Sequence, residues 1–256
     1  MPRKARARFR ALTDLVGTMS PDLDAAELIA SGRVVVDGRV VTNPASLVRE
    51  TASIRITEAG RRALRGEAKL ATALEAFRVS PEGRVALDLG AAAGGFSRVL
   101  LRHGAARVYA VDAGYGQLLG SLRQNPAVVN LERTNLADLT PAHVPEPLTL
   151  VVADLSYIAL ARALPQLNGR VRISPGADLV AVVKPQFELG LAEPPTRPRK
   201  LPEAVERARI GAMNAGWASI QVLQSPVTGA RGSREFLLHG TRESLYTPPY
   251  SSPVPS

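Results

Sequence analysis

The chain predicts an α/β protein: a doubly wound, seven-stranded, mostly parallel sheet with helices on both faces, preceded by a small α+β module. Three observations lead there. From residue 69 to 240, short apolar runs alternate with stretches of helical periodicity. The first of these runs opens into a cluster of small residues, VALDLGAAAGGFS (85–97). Residues 1 to about 57 carry a different pattern, of short helical stretches and a hairpin. At 256 residues, 45% of them hydrophobic, the chain can form one large domain with an appendage and a substantial core.

In the N-terminal module, Phe9 to Val16 reads as a weak helix, and Ser20-Pro21-Asp22 as the start of a second helix covering Leu23 to Ala30 and ending near Gly32. Two β-rich runs around Asp37-Gly38 form a hairpin, followed by Ile54-Arg55-Ile56. Residues 58–68, charged and glycine-containing, read as a linker. Strands are then expected at 85–89, 107–112, 128–132, 149–154, 178–183, 218–224 and 234–239, with helices at about 96–103, 116–123, 157–167 and 202–215. The last two runs have no helix between them and read as an antiparallel hairpin. Four prolines and four serines in residues 243–256 predict a disordered tail.

Composition narrows the function. No apolar run approaches the roughly 20 residues needed to cross a bilayer, and the basic N-terminus lacks the apolar stretch of a signal peptide. A cytoplasmic protein without stable membrane insertion is expected. Zero cysteines exclude disulfides and thiolate chemistry; His103, His143 and His239 show no ligand spacing, so no metal is expected. The formal charge of +9 is concentrated in Arg3, Lys4, Arg6, Arg8 and Arg10. Such an arm suits a polyanionic partner such as nucleic acid, although an arginine-rich chain is basic in any case and an anionic membrane would attract it too.

In a doubly wound sheet, a ligand sits beyond the carboxyl ends of the central strands. Gly90, Gly94 and Gly95 fall in the turn after the first strand, spaced Gly-x-x-x-Gly-Gly rather than as a pyrophosphate fingerprint, and read equally as a ligand loop or a structural turn. Asp112 ends the second strand about 20 residues later, where a carboxylate accepts hydrogen bonds from ribose hydroxyls, or where it caps a turn. Asp154 and Lys184 end the fourth and fifth strands at the same edge. Lys69 and Glu235 join them if both ends of the domain fold over that edge.

The segments DLGAAAGGFS, VYAVDAGYGQL, LERTN, VVADLSYIAL, VVKPQFELG and EFLLH, in this order, resemble those of the TlyA or haemolysin-A-like ribosomal RNA 2'-O-methyltransferases, relatives of the FtsJ-type RNA methyltransferases. The resemblance spans roughly residues 20–240. It implies a Rossmann-like, S-adenosylmethionine-dependent methyltransferase domain over 69–242. It further implies that residues 1–57 form a small RNA-binding domain of the ribosomal-protein S-four type, with ribosomal RNA or ribosomal subunits as partners.

The catalytic residues implied are Lys69, Asp154, Lys184 and Glu235. Lys184 would be the base, Asp154 and Glu235 would tune it, and Lys69 would hold substrate charge. The cofactor-binding residues implied are Asp88, Gly90, Gly94, Gly95, Phe96, Asp112 and Asn135, with Phe96 also suited to core packing and Asn135 to a helix cap. Arg65 would help bring Lys69 and RNA together, or remain a linker arginine.

Three segments depart from the pattern. ARFRALTDLVGTM keeps only part of the usual opening of the RNA-binding domain. Ala91-Ala92-Ala93 replaces hydroxyl residues that would bond the methionine carboxylate. LAEPPTRPRKLPEAV (191–205) replaces a glycine- and valine-rich loop near the RNA site. These changes leave open a second function, a non-catalytic RNA-binding or ribosome-assembly factor that keeps the fold. A membrane-active protein, as the haemolysin label suggests, finds no supporting apolar or amphipathic segment.

Overall fold

The computed structural model describes residues 8–243, except Asp22, Leu23, Ser31, Thr42, Thr196, Pro198, Ala230 and Arg231. Arg3, Lys4 and Arg6 lie outside the described residues, as does the expected tail apart from Glu243.

The N-terminal module contains β1 (Phe9–Ala11), α1 (Leu12–Met19), α2 (Ala25–Ala30), β2 (Val34–Val36), β3 (Arg39–Val41), β4 (Leu47–Arg49) and β5 (Ile54–Ile56). Strands β3, β2 and β5 form one antiparallel sheet, with the expected hairpin at Asp37-Gly38, and β1 pairs with β4. Leu12, Val16, Leu28, Ile29, Val34, Val36 and Ile56 make a core of their own. The first helix starts later than the sequence predicts. Phe9–Ala11 is a strand, held by registers such as Phe9 opposite Arg49, and Leu12 N–H donates to the Ser46 carbonyl at 2.9 Å.

The predicted linker 58–68 is instead the first half of α3 (Glu58–Phe77), a 20-residue helix that carries the chain into the large domain. Alanine, arginine, glutamate and leucine dominate the segment and are good helix formers, which outweighs a cost of roughly 1 kcal/mol for each glycine. At Gly66 the missing side chain lets α3 lie close to the Phe96 ring, 3.6 Å from where a Cβ would stand.

The large domain continues through β6 (Val85–Leu89), α4 (Gly95–Arg102), β7 (Arg107–Asp112), α5 (Gly120–Arg123), β8 (Val128–Glu132), β9 (Leu148–Ala153), α6 (Leu160–Ala163), β10 (Ile173–Val183), α7 (Pro185–Glu188), α8 (Lys200–Asn214), β11 (Trp217–Gln224) and β12 (Phe236–Arg242). All seven predicted runs are strands of one sheet, ordered β11-β12-β10-β9-β6-β7-β8. Only β12 runs against its neighbours, pairing antiparallel with both β10 and β11. This is the mixed, Rossmann-like α/β sheet the sequence predicts.

Alternation along the strands fills both faces. Leu87, Leu89, Val151, Leu179 and Trp217 belong to one core, capped by α6 and α8. Ala86, Val108, Leu150, Val180 and Val182 belong to the other, against Leu70, Leu74, Val99 and Leu100 of α3 and α4. The chain winds from β6 outward to β8, then crosses back to β9 beside β6. That reversal opens a crevice at the carboxyl ends of β6 and β9, the place where such sheets bind ligands.

Candidate active site

A cleft of about 540 Å³ occupies this crevice, walled by α3, the loop after β6 and the ends of β7, β9, β10 and β12. The loop after β6 is shaped by backbone. Gly90 has φ of 82°, and a Cβ there would stand 2.9 Å from the Asp154 carbonyl oxygen, so the loop crosses over the end of β9 only without a side chain. Gly94, at φ of 88°, immediately precedes α4, and a Cβ would collide with Leu122.

Between them Ala92 takes φ of 45°, a left-handed conformation that costs an L-residue roughly 1 kcal/mol. Asp112 holds it there. The Asp112 carboxylate accepts from Ala92 N–H at 2.8 Å and from Gly114 N–H at 2.6 Å, tying the loop after β6 to the loop after β7.

Four charged side chains from distant parts of the chain meet at the cleft. Lys69 comes from α3, Asp154 from the end of β9, Lys184 from the end of β10 and Glu235 from the residue before β12. Lys69 Nζ lies 2.6 Å from Glu235 Oε2 and 3.3 Å from Asp154 Oδ2; Lys184 Nζ lies 2.7 Å from Asp154 Oδ1. Burial alone would lower the Lys69 pKa, yet the carboxylates of Asp154 and Glu235 raise it above the ordinary lysine value. Burial would likewise raise the Asp154 pKa, but the ammonium groups of Lys184 and Lys69 hold it below the usual carboxylate range.

The two lysines are not equivalent. Lys69 is gripped by two carboxylates, whereas Lys184 shares one and donates its other bond to the neutral Ser156 hydroxyl at 2.7 Å.

Of the residues expected at the cofactor, Gly90, Gly95, Phe96 and Asp112 line the cleft, and so does Arg65; Phe96 is also buried in the core of α3 and α4. Three predicted cofactor residues do not. Asp88 is 0% exposed beneath the loop, where it accepts from the Ser97 hydroxyl at 2.7 Å, and its pKa is pushed up to about 7 by burial. Gly94 faces Leu118 and Leu122 rather than the cleft. Asn135 is exposed at the start of a 3-10 turn, its amide bonded to Asp138 at 3.1 Å, outside the cleft lining. Asp88 and Gly94 thus brace the loop after β6 and the start of α4 from outside the cleft lining. None of the described residues of 191–205 lines the cleft either.

Other residues went unpredicted. Ser156 and Tyr157, in the strand-end phrase DLSY, both line the cleft, and Tyr157 is 55% exposed. Gln117, Gln186 and Phe187 line it too. Glu188 closes the KPQFE phrase and accepts from Leu160 N–H at 2.7 Å, so the loop after β10 is pinned to the start of α6. The signal for Ser156 was its place two residues after a charged strand end.

Comparison with known proteins places this geometry among relatives. The family model described as FtsJ-like methyltransferase matches residues 63–242. The chain is 43% identical over 244 residues to the 16S/23S rRNA (cytidine-2'-O)-methyltransferase TlyA of Mycobacterium tuberculosis, covering 91% of this chain and 89% of that protein. It is 30% identical over 229 residues to Hemolysin A of Brachyspira hyodysenteriae, covering 84% and 91%. Among solved structures, a protein described as a hemolysin from Streptococcus thermophilus aligns with a TM-score of 0.67 and 28% identity, over 93% of this chain and 90% of that one.

Proposed function

This chain belongs to the FtsJ-like methyltransferase family, in its TlyA and haemolysin-A-like group, and from that premise we infer that it methylates ribose 2'-hydroxyls of ribosomal RNA, with S-adenosylmethionine as donor. The observation that carries the reading is the joined cluster of Lys69, Asp154, Lys184 and Glu235 at a cleft large enough for a small-molecule cofactor.

The residues present fit S-adenosylmethionine. The Gly90–Gly95 loop would hold its methionine part through backbone groups, since Ala91-Ala92-Ala93 offers no hydroxyls. Both oxygens of Asp112 are fixed by backbone N–H groups and keep lone pairs for ribose hydroxyls. When bound, the cofactor supplies an electrophilic methyl group.

The protein supplies position and a proton acceptor. Lys184 would accept the proton of a ribose 2'-hydroxyl while the oxygen takes the methyl group, the carbon–sulfur bond of the donor breaking and S-adenosylhomocysteine leaving. Asp154 fixes the Lys184 amine and stabilises the ammonium that results, while Lys69 keeps Asp154 and Glu235 in place. Tyr157 at the cleft and Tyr115, over which Arg133 stacks at 3.8 Å, are exposed rings on which an unstacked base can rest.

Residues 1–57 would form the RNA-binding module, with Arg8, Arg49 and Arg55 exposed for phosphate contacts. Ribosomal RNA, free or in a subunit, is the proposed partner, and the cytoplasm the place of action. Transfer of a labelled methyl group to ribosomal RNA and to isolated subunits, followed by mapping, tests the reading. A 2'-O-methylated ribose, with cytidine the first nucleoside to look for given the mycobacterial relative, supports it. No transfer to any RNA favours the non-catalytic binder.

A further inference from the structure

The N-terminal module and the large domain share no apolar cluster among the described residues. Every member of the module core lies before residue 57, and every member of the other clusters after residue 69. Charges bridge the gap. Arg33, beside β2, is 1% exposed, yet none of its guanidinium nitrogens has a hydrogen-bond partner. A carboxylate from the other body, Glu67 of α3, lies 3.7 Å away.

Glu67 is buried too, and it faces two further guanidinium groups from α4: Arg102 at 3.0 Å and Arg98 at 3.7 Å. Arg98 in turn pairs with Glu27 of α2. Burial raises the Glu67 pKa, against the pull of Arg102 and Arg33. One buried carboxylate therefore faces three guanidinium groups, of which Arg98 also has Glu27, and it sits two residues before Lys69 on the same helix. The helices that carry this network also wall the cleft, through Lys69 and Phe96.

We propose that Glu67 is a positioning residue: by pairing with Arg33 it docks the N-terminal module on α3 and α4, and so sets the reach between RNA held by the module and the Lys69–Asp154–Lys184–Glu235 cluster. This rests on the RNA-methyltransferase reading. Without the Glu67 charge, Arg33 stays buried with no counter-charge, and swinging the module away to hydrate Arg33 becomes the cheapest relief. RNA bound to a loose module is then presented to the cleft at a lower effective concentration.

Glu67→Gln, Arg33→Met and Arg33→Lys in the full-length protein test this. Glu67→Gln and Arg33→Met are expected to raise KM for ribosomal RNA at least tenfold. In both, kcat at saturating RNA stays within threefold and affinity for S-adenosylhomocysteine within twofold. Arg33→Lys, which keeps the charge at a separation where bidentate bonding is absent, stays within threefold of the parent KM. Amide hydrogen exchange in α2 and α4 should accelerate in the first two variants alone.

Unchanged KM and exchange in Glu67→Gln, which preserves shape and fold, overturn the proposal. A parallel loss of cofactor affinity also overturns it, because the network would then act on the cleft and not on docking. If the parent protein methylates no RNA, the functional reading fails by itself, and the exchange measurement still decides whether Glu67 holds the module in place.

Discussion

Asp88 is an acid whose ionised form the fold disfavours, and the substitution Asp88→Asn isolates that cost. The carboxyl is fully buried, one oxygen accepts from Ser97 and the other, Oδ1, has no partner. Its pKa is pushed up to about 7 from 3.8, chiefly by burial and also by the charges of Asp154 and Asp112, while the Ser97 bonds pull the other way. The folded protein therefore binds a proton that the unfolded chain has released between those two values, and stability falls as pH rises through that window.

From pH 5 to pH 8.5 the folded group crosses about two units of this window at about 1.4 kcal/mol each, a loss on the order of 3 kcal/mol. The amide introduced by Asp88→Asn accepts the same Ser97 bonds and does not titrate. Any cost of burying that amide applies at both pH values. Urea denaturation of both proteins at pH 5 and pH 8.5 is the assay. The difference in unfolding free energy, variant minus parent, should rise by about 3 kcal/mol between the two pH values. A difference independent of pH would refute the assignment of a neutral, buried Asp88.

Other perturbations read the cleft itself. Gly90→Ala places a Cβ 2.9 Å from the Asp154 carbonyl in a left-handed backbone. A loss of roughly 2 kcal/mol is expected, seen as a thermal midpoint lowered by about 4–8 °C and as weaker binding of S-adenosylhomocysteine by calorimetry. An unshifted midpoint would show that the loop has room to spare. Ser156→Ala removes the hydroxyl that accepts from Lys184; kcat should fall about tenfold, the worth of one hydrogen bond, with cofactor affinity unchanged. A fall in affinity instead would assign Ser156 to the cofactor.

Much of this arrangement was legible in the sequence, because parallel strands buried on both faces must be apolar and must end where charges and glycines begin. Asp112, Asp154 and Lys184 each stand at such an end, so their position at one edge followed from the strand count. Lys69 and Glu235 were legible only through resemblance, since nothing in the pattern fixes how α3 and β12 approach that edge. The helical nature of 58–68 was hidden by Gly60 and Gly66, whose turn signal is local, while the contact that accommodates Gly66 is tertiary.

The three-residue strands β1 and β4 are too short for periodicity to register, and their pairing is a long-range fact. Asp88 and Asn135 were expected at the cofactor from motif position, which carries no side-chain direction; Asp88 bonds Ser97 and Asn135 bonds Asp138. On β6, Asp88 points with Ala86 toward α4 and meets Ser97.

The central claim is that Lys184 takes the proton of an RNA ribose hydroxyl. Methyl transfer to ribosomal RNA by Lys184→Ala, measured beside binding of S-adenosylhomocysteine, tests it most directly. The account predicts transfer reduced by about two to four orders of magnitude, the usual contribution of a positioned base, with cofactor affinity within a few-fold of the parent. Full transfer by the variant would contradict it.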